Sequence, residues 1–183
     1  MERRITAEER VWEMEIPYSP EEVKRRLEKY GKPQPIGNTA FLVFGAICGC
    51  LKMADFIREH KISEIEIAIY SSEEGLRAST LSDLWTFCKT WDEIIDECRF
   101  LIWIFEPAPS FRKLYLKLME TPEFKKILDA YMTLWKIEIA KREGKELEVM
   151  CALAREGILD LEKRVIKVKF REPSKDEMAR DKA

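Results

Sequence analysis

The sequence predicts an α/β domain: a mixed sheet flanked by helices, with a helix-rich C-terminal half. Three observations lead there. Glu64 to Tyr70 alternates apolar Ile65, Ile67 and Ile69 with Glu64, Glu66 and Ala68, the two-residue period of a half-buried strand. Thr39 to Leu51 is a thirteen-residue apolar run, long for a strand and short of the roughly 20 residues that span a bilayer, so it reads as a buried core helix. From Thr121-Pro122 onward, Phe124, Ile127, Leu128, Tyr131, Leu134 and Trp135 recur at helical spacing.

The elements follow in order. Val11 to Ile16 alternates as a strand and Pro17 ends it. Ser19-Pro20-Glu21-Glu22 is a capping box with proline in the first helical turn, and Gly31 stops the helix it opens. Lys32 to Gly37 is a proline-containing loop. Ala40 to His60 reads as one long helix, apolar all round in its first half, which implies burial on every side. Gly45 and Gly49 share a face and suggest close approach of another backbone. A competing reading makes Phe41 to Phe44 a short strand. After the strand at Glu64–Tyr70, Ser71 to Gly75 reads as a turn, and Thr80 or Ser82 caps a helix running to about Cys98. Phe100 to Phe105 has the aromatic, apolar content of an interior strand. Phe111 to Met119 is a short basic helix. Glu146 to Leu161 is another helix, interrupted at Gly157, and Val165 to Phe170 is a last strand. Residues 1–172 form a single domain, of which 110–172 is a helical extension with a terminal strand, and 173–183 a charged tail.

Composition narrows the function. Of 183 residues, 36% are charged, yet the signs nearly cancel to a formal −2. No long-range basic field for gripping polyanions exists, although a local patch is compatible with that balance. One Gln and one Asn, with abundant Glu, Lys and Arg, suit a protein that works hot, as in thermophilic archaea. No secretory signal opens Met1 to Arg10, which points to the cytoplasm. There the five cysteines are expected as buried free thiols, with Cys88–Cys98 and Cys48–Cys151 bridges left open by spacing. His60 is the only histidine and falls at the expected C-terminus of a helix, where it complements the dipole; this removes most His-based triads and zinc sites. Cys48-x-Cys50 lacks zinc-knuckle spacing, and no phosphate-cradling Walker or G-x-G-x-x-G loop occurs. No cofactor is implied. Trp85, Trp91, Trp103 and Trp135 sit in apolar patterns and are expected in the core.

Asn38-Thr39-Ala40-Phe41-Leu42 opens the long helix. The linker His60-Lys61-Ile62-Ser63 leads into the strand that ends Tyr70-Ser71-Ser72-Glu73. Asp83-Leu84-Trp85, a helix and Phe100-Leu101-Ile102-Trp103-Ile104 follow. This order over residues 38–105 resembles ribonuclease H-type nucleases. The resemblance implies a nuclease-like core, and it departs where the chemistry would lie. The family holds paired divalent metals with carboxylates, since hard cations take oxygen ligands. Its helix Glu falls at Phe41, or at Val43 in a shifted register, and its strand-end Asp falls at Ser72. No Asp precedes Asp55 for the first strand. The resemblance therefore implies a degenerate scaffold without catalytic or metal residues. A displaced site would have to use Glu73, Glu74 and Asp83, with Glu13 and Glu15 nearby.

Lys167, Lys169 and Arg171 project from one face of the last strand, with Lys163 just before it and Ile166, Val168 and Phe170 on the other face. Such a stripe fits a phosphate backbone, or else the lysines of an edge strand guarded against pairing. Arg112, Lys113, Lys117, Lys125 and Lys126 are candidates to extend it. The expected partner is a nucleic acid or a nucleic-acid-processing protein, with an assembly subunit or homo-oligomer as the competing class, and no membrane.

Overall fold

A computed structural model describes residues 18–31, 39–106 and 109–171. Seven helices and a small sheet make up these residues, so the protein is mixed α and β with helix predominating. Helix α1 (Pro20–Glu28) begins as its capping box requires: Ser19 Oγ accepts from the Glu22 amide at 3.2 Å, and proline occupies the first turn.

Helix α2 (Thr39–Glu59) is the axis of the molecule. Ala40, Val43, Phe44, Ile47, Cys50, Leu51, Ala54 and Ile57 form one buried stripe, against which α3, α4, α5 and α6 (bounds below) all pack. Burial is not uniform around it: Phe41 and Leu42 each remain 54% exposed. Phe41–Phe44 is helical, not a strand, and no neighbouring atom lies within 4 Å of a Cβ built on Gly45 or Gly49. Those glycines do not mark a close backbone approach. By length and composition α2 is the one described helix that would be able to cross a membrane. The helix closes through a left-handed Lys61 (φ 50°): Ile62 N–H donates to Ile57 O and Lys61 N–H to Arg58 O, pairing carbonyls that the helix end leaves open.

Strand β1 (Glu64–Ala68) follows as the alternation predicts, with Ile67 and the following Ile69 buried. Helix α3 (Ser72–Phe87) starts earlier than expected. Ser71 Oγ accepts from the Glu74 amide, and Glu73 and Glu74 occupy the positive first turn, so the supposed turn is a helix N-terminus. A break at Cys88–Thr90 separates it from α4 (Trp91–Phe105). Thr90 Oγ1 caps that helix by accepting from the Glu93 amide, while Glu93 Oε2 accepts from the Lys89 amide at 2.5 Å. The expected strand at Phe100–Phe105 is the second half of α4. Ile94, Ile95, Cys98, Leu101 and Ile102 recur at three and four residues and bury against α2, and this burial outweighs the β-propensity of the aromatic run.

Helices α5 (Pro109–Leu118) and α6 (Pro122–Arg142) lie where the sequence places them, and the buried stripe of α6 runs Phe124, Ile127, Leu128, Ala130, Tyr131, Leu134, Ile137 and Ala140. Helix α7 (Glu146–Arg155) ends at Gly157, whose φ of 78° lets Ile158 N–H return to Leu153 O. Strand β2 (Leu159–Asp160) turns into β3 (Val165–Lys169). Within the turn, Asp160 Oδ1 accepts from the amides of Glu162 and Lys163, 3.0 Å each, and these bonds hold its carboxyl below the usual range.

The sheet order is β1-β3-β2, antiparallel throughout, in place of the expected mixed sheet. Strand β3 is therefore central from Val165 to Lys167, where the edge-guard reading of its lysines does not apply; beyond Lys167 no described strand pairs with that side, and the reading stays open for Lys169. All five cysteines are free. The four tryptophans expected in the core are each only partly buried against it. The strand Val11–Ile16, its Glu13 and Glu15, Asn38 and the tail 173–183 lie outside the described residues.

Candidate nucleic-acid interface

The alternation of β3 turns Ile166 and Val168 into the core and Lys167 and Lys169 to the opposite face. Pairing with β1 then decides what each lysine meets. Glu66 stands opposite Lys167 and Glu64 opposite Lys169. Lys163 Nζ lies 3.5 Å from Glu66 Oε1, and Lys167 Nζ lies 4.0 Å from Asp160 Oδ2. Half of the expected stripe is thus matched by carboxylates.

The other half gathers elsewhere. Arg171 donates through Nη2 to the carbonyl of Lys61, and Lys126 Nζ donates to the carbonyl of Lys169 at 2.9 Å. These bonds draw Lys61, Lys126, Lys169 and Arg171 to one corner, where the end of β3, the left-handed turn after α2 and the first turns of α6 meet. Lys125 adjoins Lys126, and all five cations are exposed. Glu64 is the acid opposite Lys169. Arg58, by contrast, reaches Glu123 at 4.0 Å. Lys125 and Lys126 were candidates from the sequence; Lys61 was missed, because its place depends on a positive φ that no lysine signals. Lys117 belongs to a different groove, shared with Asp55, Arg58 and Glu59.

A second basic cluster sits at the start of β3. Arg164 and Lys141 lie over the Tyr70 ring, at 5.3 and 5.8 Å from its centroid, and Arg142 lies 5.1 Å from that of Trp135. Tyr70 donates to Glu146 Oε1 at 2.8 Å, a bond that raises its hydroxyl pKa. Together with Ser71, Ser72 and Glu138, these aromatic and basic groups, Arg164 apart, border a groove of about 280 Å³. Tyr70 was read only as the end of a strand, so its cationic neighbours went unseen.

The displaced carboxylates do not converge. Glu74 Oε2 accepts from the Tyr131 hydroxyl at 2.6 Å, and Arg77 Nη1 donates to that same hydroxyl at 2.7 Å. Asp83 lies nine residues further along α3, about 13 Å away and on the opposite side of the helix. Its carboxyl is raised by burial. Among the described residues, no group of three or more His, Cys, Asp or Glu is arranged to hold a metal ion.

One further polar constellation is structural in character. Glu97, 3% exposed, is the one buried charge among the described residues. Its Oε1 accepts from Tyr30 at 2.6 Å, and its Oε2 lies 3.4 Å from Arg26 Nη1. Arg26 also binds Asp96 at 2.9 Å and packs over the Tyr18 ring. Burial, then Asp96, push the Tyr18 hydroxyl up to about 12. This network ties α1 to α4.

Comparison of the chain with protein-family models, with curated proteins and with solved structures finds no match.

Proposed function

We propose that the protein is a non-catalytic module that binds nucleic acid, alone or as part of a nucleic-acid-processing assembly. One observation carries the reading: Lys61, Lys125, Lys126, Lys169 and Arg171 meet at one exposed corner, with Glu64 opposite Lys169 across the strands. Cations concentrated in this way attract phosphates locally despite an overall charge of −2. Lys126 keeps two further N–H donors after serving the Lys169 carbonyl. At the far end of β3, Tyr70 and Trp135 among Arg164, Lys141 and Arg142 offer aromatic surface beside positive charge, the pairing that single strands use. The resemblance of residues 38–105 to ribonuclease H-like proteins supports the reading only through the order of α2 and β1. Its metal-binding carboxylates have no counterpart at Phe41, Val43 or Ser72.

Fluorescence anisotropy with labelled single-stranded DNA, single-stranded RNA and duplex DNA, titrated against salt, tests this. Binding should weaken steeply with salt, and the triple variant Lys125→Ala/Lys126→Ala/Lys169→Ala should flatten the log–log slope by about 2 to 3. Lys163→Ala/Lys167→Ala, which removes cations already matched by carboxylates, should change the slope by less than about 1. No binding at low salt, or equal slopes for the two variants, would overturn the proposal.

A further inference from the structure

Among the described residues no strand pairs with the outer edge of β1, and that edge carries an inference of its own, although Glu64 belongs both to it and to the basic corner. Phe170 N–H donates to Ser63 O, and Ile69 N–H donates to Arg164 O. With the register Glu64↔Lys169 through Ala68↔Val165, these bonds fix the ladder's parity. Ser63, Ile65, Ile67 and Ile69 turn their backbone groups toward β3, whereas Glu64, Glu66 and Ala68 turn theirs away from it. Lys167 confirms the alternation from the far side: its N–H donates to Ile158 O, next to β2. No hydrogen bond among the described residues engages the outward amides and carbonyls of Glu64, Glu66 and Ala68. These three residues are exposed.

We infer that the outer edge of β1 is a docking site for an extended segment of another protein, one that alternates Lys or Arg with apolar residues and adds as a fourth, antiparallel strand. Charge selects that occupant. An incoming residue opposite Glu64 or Glu66 shares the face of that carboxylate, so a basic side chain there is favoured by the same cross-strand pairing that Lys169 and Lys167 make from the other side, with Lys163, 3.5 Å from Glu66, as the cation it competes with. The same rule excludes a second copy through this edge: β1 against β1 sets glutamate beside glutamate in any near-symmetric register. The partner's apolar residues fall on the opposite face, beside the partly buried Ile65. Five residues give an edge of about 17 Å, enough for alternating main-chain bonds to supply affinity and side chains to supply specificity. Edge charges deter promiscuous pairing; here their uniform sign makes the deterrence selective.

The experiment uses the full chain and a labelled Val-Lys-Val-Lys-Val-Lys-Val heptapeptide. A strand that puts its lysines opposite Glu64 and Glu66 must bond through the lysine amides, while its valine amides point outward. Methylating the lysine amides should weaken binding about tenfold or more, whereas methylating the valine amides should change it less than about threefold. Replacing lysine by glutamate in the peptide should abolish binding. Ala68→Pro removes an outward N–H and leaves the bonds to β3 intact, so binding should fall about fivefold or more with the helical circular-dichroism spectrum unchanged. If that variant does not fold, the two methylated peptides on the native chain decide. Absence of binding up to about 1 mM peptide, or equal affinity of the two methylated peptides, overturns the inference.

Discussion

Arg26→Ala is the most informative perturbation of the fold. The Arg26 side chain is 14% exposed and its partner Glu97 is 4% exposed, so truncation strands a buried carboxylate. Breaking a fully buried pair costs about 3–5 kcal/mol. Two features place this case at the low end. Tyr30 still donates to Glu97 at 2.6 Å, and Asp96, the other partner, is half exposed and contributes under about 1 kcal/mol. Loss of the guanidinium from above the Tyr18 and Phe100 rings adds a smaller cost. We expect about 3 kcal/mol, a drop in Tm of roughly 6–12 °C for a chain of this size. Urea unfolding of a double-mutant cycle isolates the cause. In a Glu97→Gln background no buried charge is left behind and the amide oxygen still accepts from Tyr30. Arg26→Ala should then cost only about 1–1.5 kcal/mol. Equal costs in the two backgrounds, within about 0.5 kcal/mol, would refute the stranded-charge argument.

Two other outcomes are expected. Gly45→Ala meets no atom within 4 Å and should stabilise the chain by up to about 1 kcal/mol, whereas Gly144→Ala, at φ 74°, should destabilise it by about 1–2 kcal/mol; calorimetry showing the same sign for both would contradict the helix-end geometry. In iodoacetamide labelling at pH 8 followed by mass spectrometry, the partly exposed Cys151 should react first. Burial pushes Cys48 and Cys50 up to about 12 and Cys88 up to about 11, and raises Cys98 further, so at that pH their reactive thiolate is scarce. Faster labelling of Cys48 than of Cys151 would count against that account.

Reading the chain alone succeeds where a local pattern and burial agree. The cap at Ser19, the helix start at Thr121-Pro122, the stripe from Phe124 to Leu134, the alternation of Glu64–Tyr70 and the Lys167/Val168 alternation of β3 all fall as expected. It fails at Phe100–Phe105, where six aromatic and aliphatic residues suit a strand and a helix equally. It also fails at Ser71, whose capping role looks like an ordinary turn until Glu74 is seen folding back onto it. The candidate site divides in the same way. Lys169 and Arg171 were visible as a basic alternation, but neutralisation of Lys163 and Lys167 was not, since Glu66 and Asp160 are distant or ambiguous in sequence.

What the sequence by itself determined is which residues carry charge, which faces are apolar and where helices start, because capping, proline and side-chain periodicity act over a few residues. Only the tertiary structure decided that β3 lies between two strands, that Lys61 and Lys126 reach its end, and that Glu64 and Glu66 line an edge with which no described strand pairs. Those outcomes depend on register and packing between segments up to a hundred residues apart, and no local propensity encodes which of the compatible pairings buries the core best.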